Sequence, residues 1–340
     1  MAKGWRCGVV QTAAAAWEAA DAFRTGGRWP ECHAVTAVAL DDGAGGERLV
    51  AAWYAGTAEC RPDVALLSAS WTEARGWSEP RVLVDTPGRA EGNPVLGVAP
   101  GGDLWLWFAT LDGPHWTDAR LRWRRSTDGG ATWGVAQDME DAAPGWLGRN
   151  KPVRHGSYWL LPLYDERRWE GVVLRSTDGG WTWEAGARIV APQGCIQPTL
   201  LPLADGGLAA LLRCGRGGGP MWLSRSPDGG RSWSPAQAAG LVNPNSACDA
   251  VVDAYGHWFV ACNDDRDRDR GVLALRGSAD GGITWPLRLL LADGPGEYAY
   301  PALLPAAGGG LHVLYTHERR AIRHLRLPLP RISPATTGGE

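Results

Sequence analysis

Lysine is almost missing from this 340-residue chain. It occurs only as Lys3 and Lys151, so positive charge rests on arginine, and the formal net charge is −3. Without a basic excess nothing would neutralise a phosphate backbone, which argues against nucleic acid as a partner. Long apolar runs are missing too. Residues 1–23 lack the continuous apolar core of a secretory leader, and no later stretch approaches the roughly 20 residues of a membrane span. No membrane partner and a cytoplasmic location are therefore expected. The seven cysteines form an odd set with no CxxC spacing, which excludes a disulfide framework or a zinc site of the usual pattern and leaves reduced, mostly buried thiols. No metal and no cofactor is expected. Apolar residues at helical spacing are also scarce. What the chain does have is 47 Gly, 24 Pro and 20 Trp, abundant turn formers and large rigid aromatics that point to an all-β fold.

Internal repetition is the strongest signal. The segment Ser126-Thr-Asp128-Gly129-Gly130-Ala-Thr-Trp133 recurs as Ser176 to Trp183, Ser226 to Trp233 and Ser278 to Trp285, each with Asp-Gly-Gly at its centre. A degenerate copy from Ser70 to Trp77 keeps the Ser-to-Trp spacing. Such a segment suits a tight hairpin: the Asp accepts backbone N–H groups, the paired glycines supply positive φ, and the Trp packs into the sheet. Around each copy the chain reads strand, Gly-containing turn, strand, as in Gln197 to Arg213.

One copy per blade predicts a six-bladed β-propeller with Asp-box hairpins. Inner strands start near His33, Asn93, Lys151, Gln197, Asp249 and Tyr300. The last blade is expected to close the ring by pairing N- and C-terminal strands, Gly8 to Thr12 with Ala321 to Leu327, which leaves no open edge. Residues 1–330 then form a single propeller domain and 331–340 a tail.

Ser-x-Asp-Gly-Gly-x-Thr-Trp boxes at this period resemble the sialidase (neuraminidase) superfamily of Asp-box, or BNR-repeat, propellers. The resemblance covers nearly the whole chain and extends to residues that would converge on the ring axis. In that superfamily one carboxylate-binding Arg follows an inner-strand acidic residue by sixteen positions, and Arg213 stands so after Gln197. Another Arg precedes an Asp-box Ser by eight positions, as Arg270 precedes Ser278, and a nucleophilic Tyr opens the last inner strand, as Tyr300 does. Two positions depart: His33 stands where the first Arg is expected, and Gln197 where a glutamate would deprotonate the Tyr. The strand starts Asn93-Pro94, Asn150-Lys151-Pro152, Gln197-Pro198 and Asn243-Pro244-Asn245 also resemble a divergent bacterial branch of sialidase-like proteins.

The resemblance implies a glycosidase acting on a small anionic sugar or glycoside of the sialic or uronic acid type. Arg213 and Arg270 present planar forks that suit a carboxylate, and Lys151 is a further candidate for an anion. Tyr300 is a candidate nucleophile, general acid or pocket wall. His33 is a candidate for proton transfer because imidazole titrates near neutrality. Asp63, with Glu59 as second choice, is the candidate proton donor, and Glu166 the candidate general base. Gln197, Asn93, Asn150 and Asn245 are expected to contact substrate. The run Asp264 to Arg270 alternates in sign and reads as a solvated loop rather than a cation site. Two other functions fit the same residues: a lyase or isomerase in which His33 and Tyr300 move protons beside a carboxylate, and a non-catalytic glycan-binding propeller.

Overall fold

Each Asp box turns the chain from the third strand of a blade into its outer strand. The computed structural model describes residues 17–43 and 45–332. In the box at 176 the Ser176 hydroxyl donates to Asp178 and accepts from the Gly180 amide, while Asp178 accepts from the amide and hydroxyl of Thr182. The boxes at 126, 226 and 278 repeat these bonds. Gly179 and Gly180 hold φ of 80° and 100°, and a Cβ on Gly180 would lie 2.7 Å from the Trp159 ring. Glycine is required there on both counts.

The strands form six antiparallel sheets, and the architecture is the expected six-bladed propeller. Running outward, blade 1 holds Glu31–Asp41, Glu47–Gly56, Ala65–Thr72 and two short outer pieces. Blade 2 holds Ala90–Val98, Leu104–Leu111, Ala119–Ser126 and Gln137–Asp138. Blade 3 has a split inner strand, Trp146–Gly148 and Val153–His155, before Tyr158–Asp165, Glu170–Ser176 and Glu184–Ala185. Blade 4 holds Cys195–Pro202, Leu208–Cys214, Gly219–Ser226 and Gln237–Asn243; blade 5 holds Asp249–Val252, Trp258–Cys262, Val272–Ser278 and Leu287–Asp293. Blade 6 closes the ring. Its strands Tyr298–Ala306, Gly310–His317 and Ala321–Pro328 come from the C-terminal part, and its outer strand is Glu18–Arg24. The expected closing segment Gly8 to Thr12 lies outside the described residues, and the closing role falls to Glu18–Arg24 instead. There Asp21 receives Arg323 at 2.9 Å and Phe23 packs against Trp53.

Tryptophans fill the wedges between blades. Trp105, Trp107 and Trp159, all at most 2% exposed, stack with Trp183 between blades 2 and 3. Near the axis, polar ties replace apolar packing. Asp249 of blade 5 receives Lys151 of blade 3 at 2.7 Å through both carboxylate oxygens, the Thr199 hydroxyl of blade 4 at 2.9 Å and the Leu303 amide of blade 6 at 2.8 Å. Arg149 emerges where the blade 3 inner strand is split, is buried, and donates to the carbonyls of Val35 and Pro301. The six cysteines of the described residues are unpaired.

Four inner strands begin with the same irregularity. The pairing register slips at Gly92/Val95, Ile196/Thr199, Ala299/Ala302 and His33/Thr36, and the residue inside each slip has positive φ: Asn93 (43°), Gln197 (55°), Tyr300 (54°) and Ala34 (57°). A β-bulge leaves one residue out of the ladder and re-aims its side chain. Proline follows Asn93, Gln197 and Tyr300, at a site where a ladder N–H is not required. In blade 1 the equivalent residue is therefore Ala34. His33 stays in register opposite Tyr54, which corrects its expected placement alongside Asn93, Gln197 and Tyr300.

Candidate active site

The bulges and the loops above them build a cavity of about 160 Å³ on the axis. Its floor is Asn93, Ile196, Gln197 and Tyr300. Its wall takes one residue from each blade in turn: Glu59, Trp116, Glu166, Arg270 and Arg319 from the links between second and third strands, and Arg213 from the end of the second strand of blade 4, with Trp169 beside Glu166. The order around the ring separates charge. Blades 4, 5 and 6 contribute guanidinium groups, while blades 1 and 3 contribute carboxyl groups with an indole between them.

Tyr300 sits in the arginine arc. Its hydroxyl accepts from Arg213 Nη1 at 2.9 Å, and the guanidinium carbons of Arg149, Arg270 and Arg213 lie 5.2, 5.3 and 6.0 Å from its ring centre. Burial raises the phenol's pKa, but the fields of Arg213, Arg270 and Arg149 outweigh it and bring the pKa below its usual value. Arg213 is held in place by Asn245 Oδ1 at 2.8 Å and Gln197 Oε1 at 3.2 Å. Glu297 accepts from Arg270 and Arg319, both at 2.9 Å, and fixes these two cations side by side.

The two carboxyl groups of the cavity differ. Glu59 accepts from Trp116 Nε1 at 2.9 Å and from Arg319 Nη1 at 3.0 Å. Burial raises its pKa, yet Arg319 and the indole N–H outweigh that and hold it below the usual carboxylate value. Glu166 makes no hydrogen bond or ion pair through its carboxyl group among the described residues. Burial drives it up against the opposing pull of Arg213 and Arg216, to about 7.

Of the residues singled out from sequence, Tyr300, Arg213, Arg270, Gln197, Asn93 and Glu166 meet in this cavity, and Asn245 braces Arg213 from behind. Like Asn245, four others do not line it. Lys151 is bound to Asp249, and Asn150 donates to the carbonyls of Gln197 and Pro198 at 3.1 Å. The Asp63 carboxylate closes its own turn by accepting from the amide and hydroxyl of Thr57, and Glu59 takes its place in the cavity. His33 is 1% exposed beneath Tyr300, ring centres 4.1 Å apart, and neither ring nitrogen makes a hydrogen bond. Burial, then the charges of Arg319, Arg270, Arg149 and Arg213, push its pKa well below the usual histidine value. Such a group is neutral and a weak base. The partner of Arg270 is Glu297, not the acidic run before it, where Asp264 binds Arg276 and Arg288.

Sequence reasoning missed Arg319, Trp116, Trp169 and Glu297. The only local sign of Arg319 is its place just after Gly310–His317, where Glu318 and Arg319 turn the chain with φ of 55° and 54°. No cluster of three or more His, Cys, Asp or Glu among the described residues could hold a metal ion. A wider groove of about 850 Å³ adjoins the arginine side along blades 4 to 6 and shares Arg270 with the cavity.

A family model for a BNR repeat-like domain matches residues 47–313. A sialidase of Bacteroides fragilis is 24% identical over 266 residues, which cover 71% of this chain and 47% of that protein. A sialidase of Micromonospora viridifaciens is 26% identical over 213 residues, 56% of this chain and 32% of that protein. The chain thus spans less than half the length of these curated relatives. Among solved structures, a protein of unknown function from Dyadobacter fermentans aligns with a TM-score of 0.77 at 16% identity, over 92% of this chain and 98% of its own. The leech intramolecular trans-sialidase complexed with 2,7-anhydro-Neu5Ac aligns with a TM-score of 0.75 at 14% identity, over 94% of this chain and 71% of its own. These likenesses establish the shared propeller fold.

Proposed function

Because the chain belongs to the BNR repeat-like family and is a divergent member of the sialidase-like superfamily, we propose that it is a glycoside hydrolase acting on a sugar with a carboxylate, of the sialic or uronic acid type. The observation that carries this is the company of Tyr300 in one cavity: three guanidinium groups, Arg213, Arg270 and Arg319, and two carboxyl groups, Glu59 paired with Arg319 and Glu166 unpaired. Guanidinium forks select a carboxylate, and a carboxyl group opposite them reaches the leaving oxygen.

In this reading Tyr300 is the nucleophile. Its ionised oxygen is favoured by Arg213, Arg270 and Arg149, which offsets the lack of a glutamate at Gln197. The phenolate oxygen bonds to the anomeric carbon as the glycosidic bond breaks, and the leaving oxygen takes a proton from a cavity carboxyl group. Water then gives that carboxylate a proton and displaces the phenolate. Two displacements retain the anomeric configuration. Elimination through His33 is disfavoured by its burial and absent hydrogen bonds. A silent binding propeller is disfavoured because Glu166 is not committed to a structural pair.

Incubation with 4-methylumbelliferyl glycosides of N-acetylneuraminic, glucuronic and galacturonic acids is expected to release fluorescence with at least one of them. Tyr300→Phe is expected to abolish that release while the folded state melts normally. Binding of a carboxylated sugar without turnover would sink the hydrolase and favour the glycan-binding alternative, and an unsaturated product would favour elimination.

A further inference from the structure

We propose that Glu166 on blade 3, not a blade 1 carboxylate, protonates the departing oxygen and then deprotonates the incoming water; this rests on the hydrolase reading above. The cavity wall offers two carboxyl groups, and the first is already committed. Glu59 is anchored by Arg319 and Trp116, so it serves as a fixed anion that orients Arg319. Asp63 lies outside the cavity, bonded to Thr57. Glu166 is positioned only through its backbone: it follows directly on Tyr158–Asp165, and its amide donates to the Gly145 carbonyl at 2.9 Å. Its carboxyl group is left free for a substrate atom.

The charged groups acting on Glu166 come from three blades. Arg213 and Arg216 of blade 4 favour its anion, whereas Glu59 of blade 1 and Asp165 of blade 3 disfavour it, and Cys60 and Tyr164 sense its charge in return. Burial is the largest influence, and the balance near 7 lets the group both give and take a proton at neutral pH. The neighbouring surface suits a leaving group. Trp169 lines the cavity beside Glu166 with a buried, unpartnered indole N–H, and Arg216 lies 5.1 Å over its ring. Atoms balance without a further base. The Glu166 proton passes to the glycosidic oxygen as the Tyr300 oxygen bonds to the anomeric carbon; water then returns a proton to Glu166 as its oxygen replaces that of Tyr300.

The test pairs a good and a poor leaving group, 4-methylumbelliferol and lactose, on N-acetylneuraminic and glucuronic acids, in wild type, Glu166→Gln and Glu59→Gln. For Glu166→Gln, kcat/KM on the lactosyl substrate is expected to fall by about 10²–10⁴-fold, while formation of the glycosyl intermediate from the umbelliferyl substrate falls less than about tenfold. The loss of wild-type activity as pH rises through neutrality should vanish in Glu166→Gln. Glu59→Gln should slow both substrates alike and keep the pH limb. Thermal melting checks that each variant is folded. Wild-type turnover with equal losses on both leaving groups and an unchanged pH profile in Glu166→Gln would overturn the assignment of Glu166 alone. No wild-type turnover of any substrate would refute the hydrolase reading and this assignment with it.

Discussion

Replacing Lys151 separates a structural cation from a substrate-binding one, since the same residue is attractive for either role. The ammonium group lies 2.7 Å from both oxygens of Asp249, whose side chain is 4% exposed against 19% for Lys151. In Lys151→Met the alkyl stem is kept and the charge is lost, leaving Asp249 with neutral donors from Thr199, Ala250 and Leu303. Removing one partner of a buried pair costs about 3–5 kcal/mol; the remaining donors and partial exposure of Lys151 reduce this to roughly 3 kcal/mol. At about 2.1 cal/mol/K per residue over roughly 300 residues, the unfolding entropy is about 0.6 kcal/mol/K, so Tm should fall by ~5 °C. The assay is thermal unfolding by circular dichroism, together with turnover of the umbelliferyl glycoside at a temperature well below the transition. The expected result is a lower Tm with little change in KM. An unchanged Tm with a tenfold or greater rise in KM would refute this account and return Lys151 to the substrate site.

Arg319→Gln should release Glu59 and Glu297 and lower kcat/KM by about 10²-fold, with poor recovery in Arg319→Lys because a point charge cannot bridge two carboxylates in one plane; steady-state kinetics on the same glycoside decide this. Gln197→Glu places a carboxylate beside Arg213 and Tyr300, where it competes for the guanidinium and raises the phenol's pKa, so turnover at neutral pH should drop by about tenfold for each unit of that rise. An increase in turnover would instead show that Tyr300 lacks a base. Finally, Asp128, Asp178 and Asp228 are held at about 2 against an ordinary 3.8. Hydroxyl donation by Thr132 and Ser232 is the main cause for Asp128 and Asp228, whereas for Asp178 the opposing effect of burial is outweighed by bonds from Thr182 and Ser176. Because the folded pKa is depressed, this stability is present above about pH 4 and is lost as pH falls towards 2. Tm measured across that window should drop steeply in wild type and less steeply in Asp178→Asn; parallel curves would contradict the linkage.

Where the chain repeats, its sequence was readable. The boxes reappear with the same internal spacing because each must place the same Ser, Asp and glycine atoms in one hairpin, and such local geometry leaves a fixed pattern in the chain. Starts of the inner strands were legible for a related reason, since a bulge before a proline marks Asn93, Gln197 and Tyr300. In blade 1 the bulge falls on Ala34, one residue past His33, with no proline after it to mark the place in the sequence. The sequence puts Asp63 ahead of Glu59 on the same turn, and the fold reverses that order, because Asp63 closes the turn on Thr57 while Glu59 faces the axis.

From the sequence alone followed the six-bladed ring, since strand periodicity and turn chemistry act over a few residues, while the meeting of Arg213, Arg270 and Tyr300 was what the resemblance to the sialidase superfamily implied. The tertiary structure decided the partners of those groups. Arg319 reaches Glu59 across 260 positions and Lys151 reaches Asp249 across 98, along loops whose lengths differ from blade to blade. Contacts that close a ring leave no spacing in the chain, and charge balance at Tyr300 and Glu166 arises only when blades 1, 3, 4 and 5 bring their charged groups to one axis.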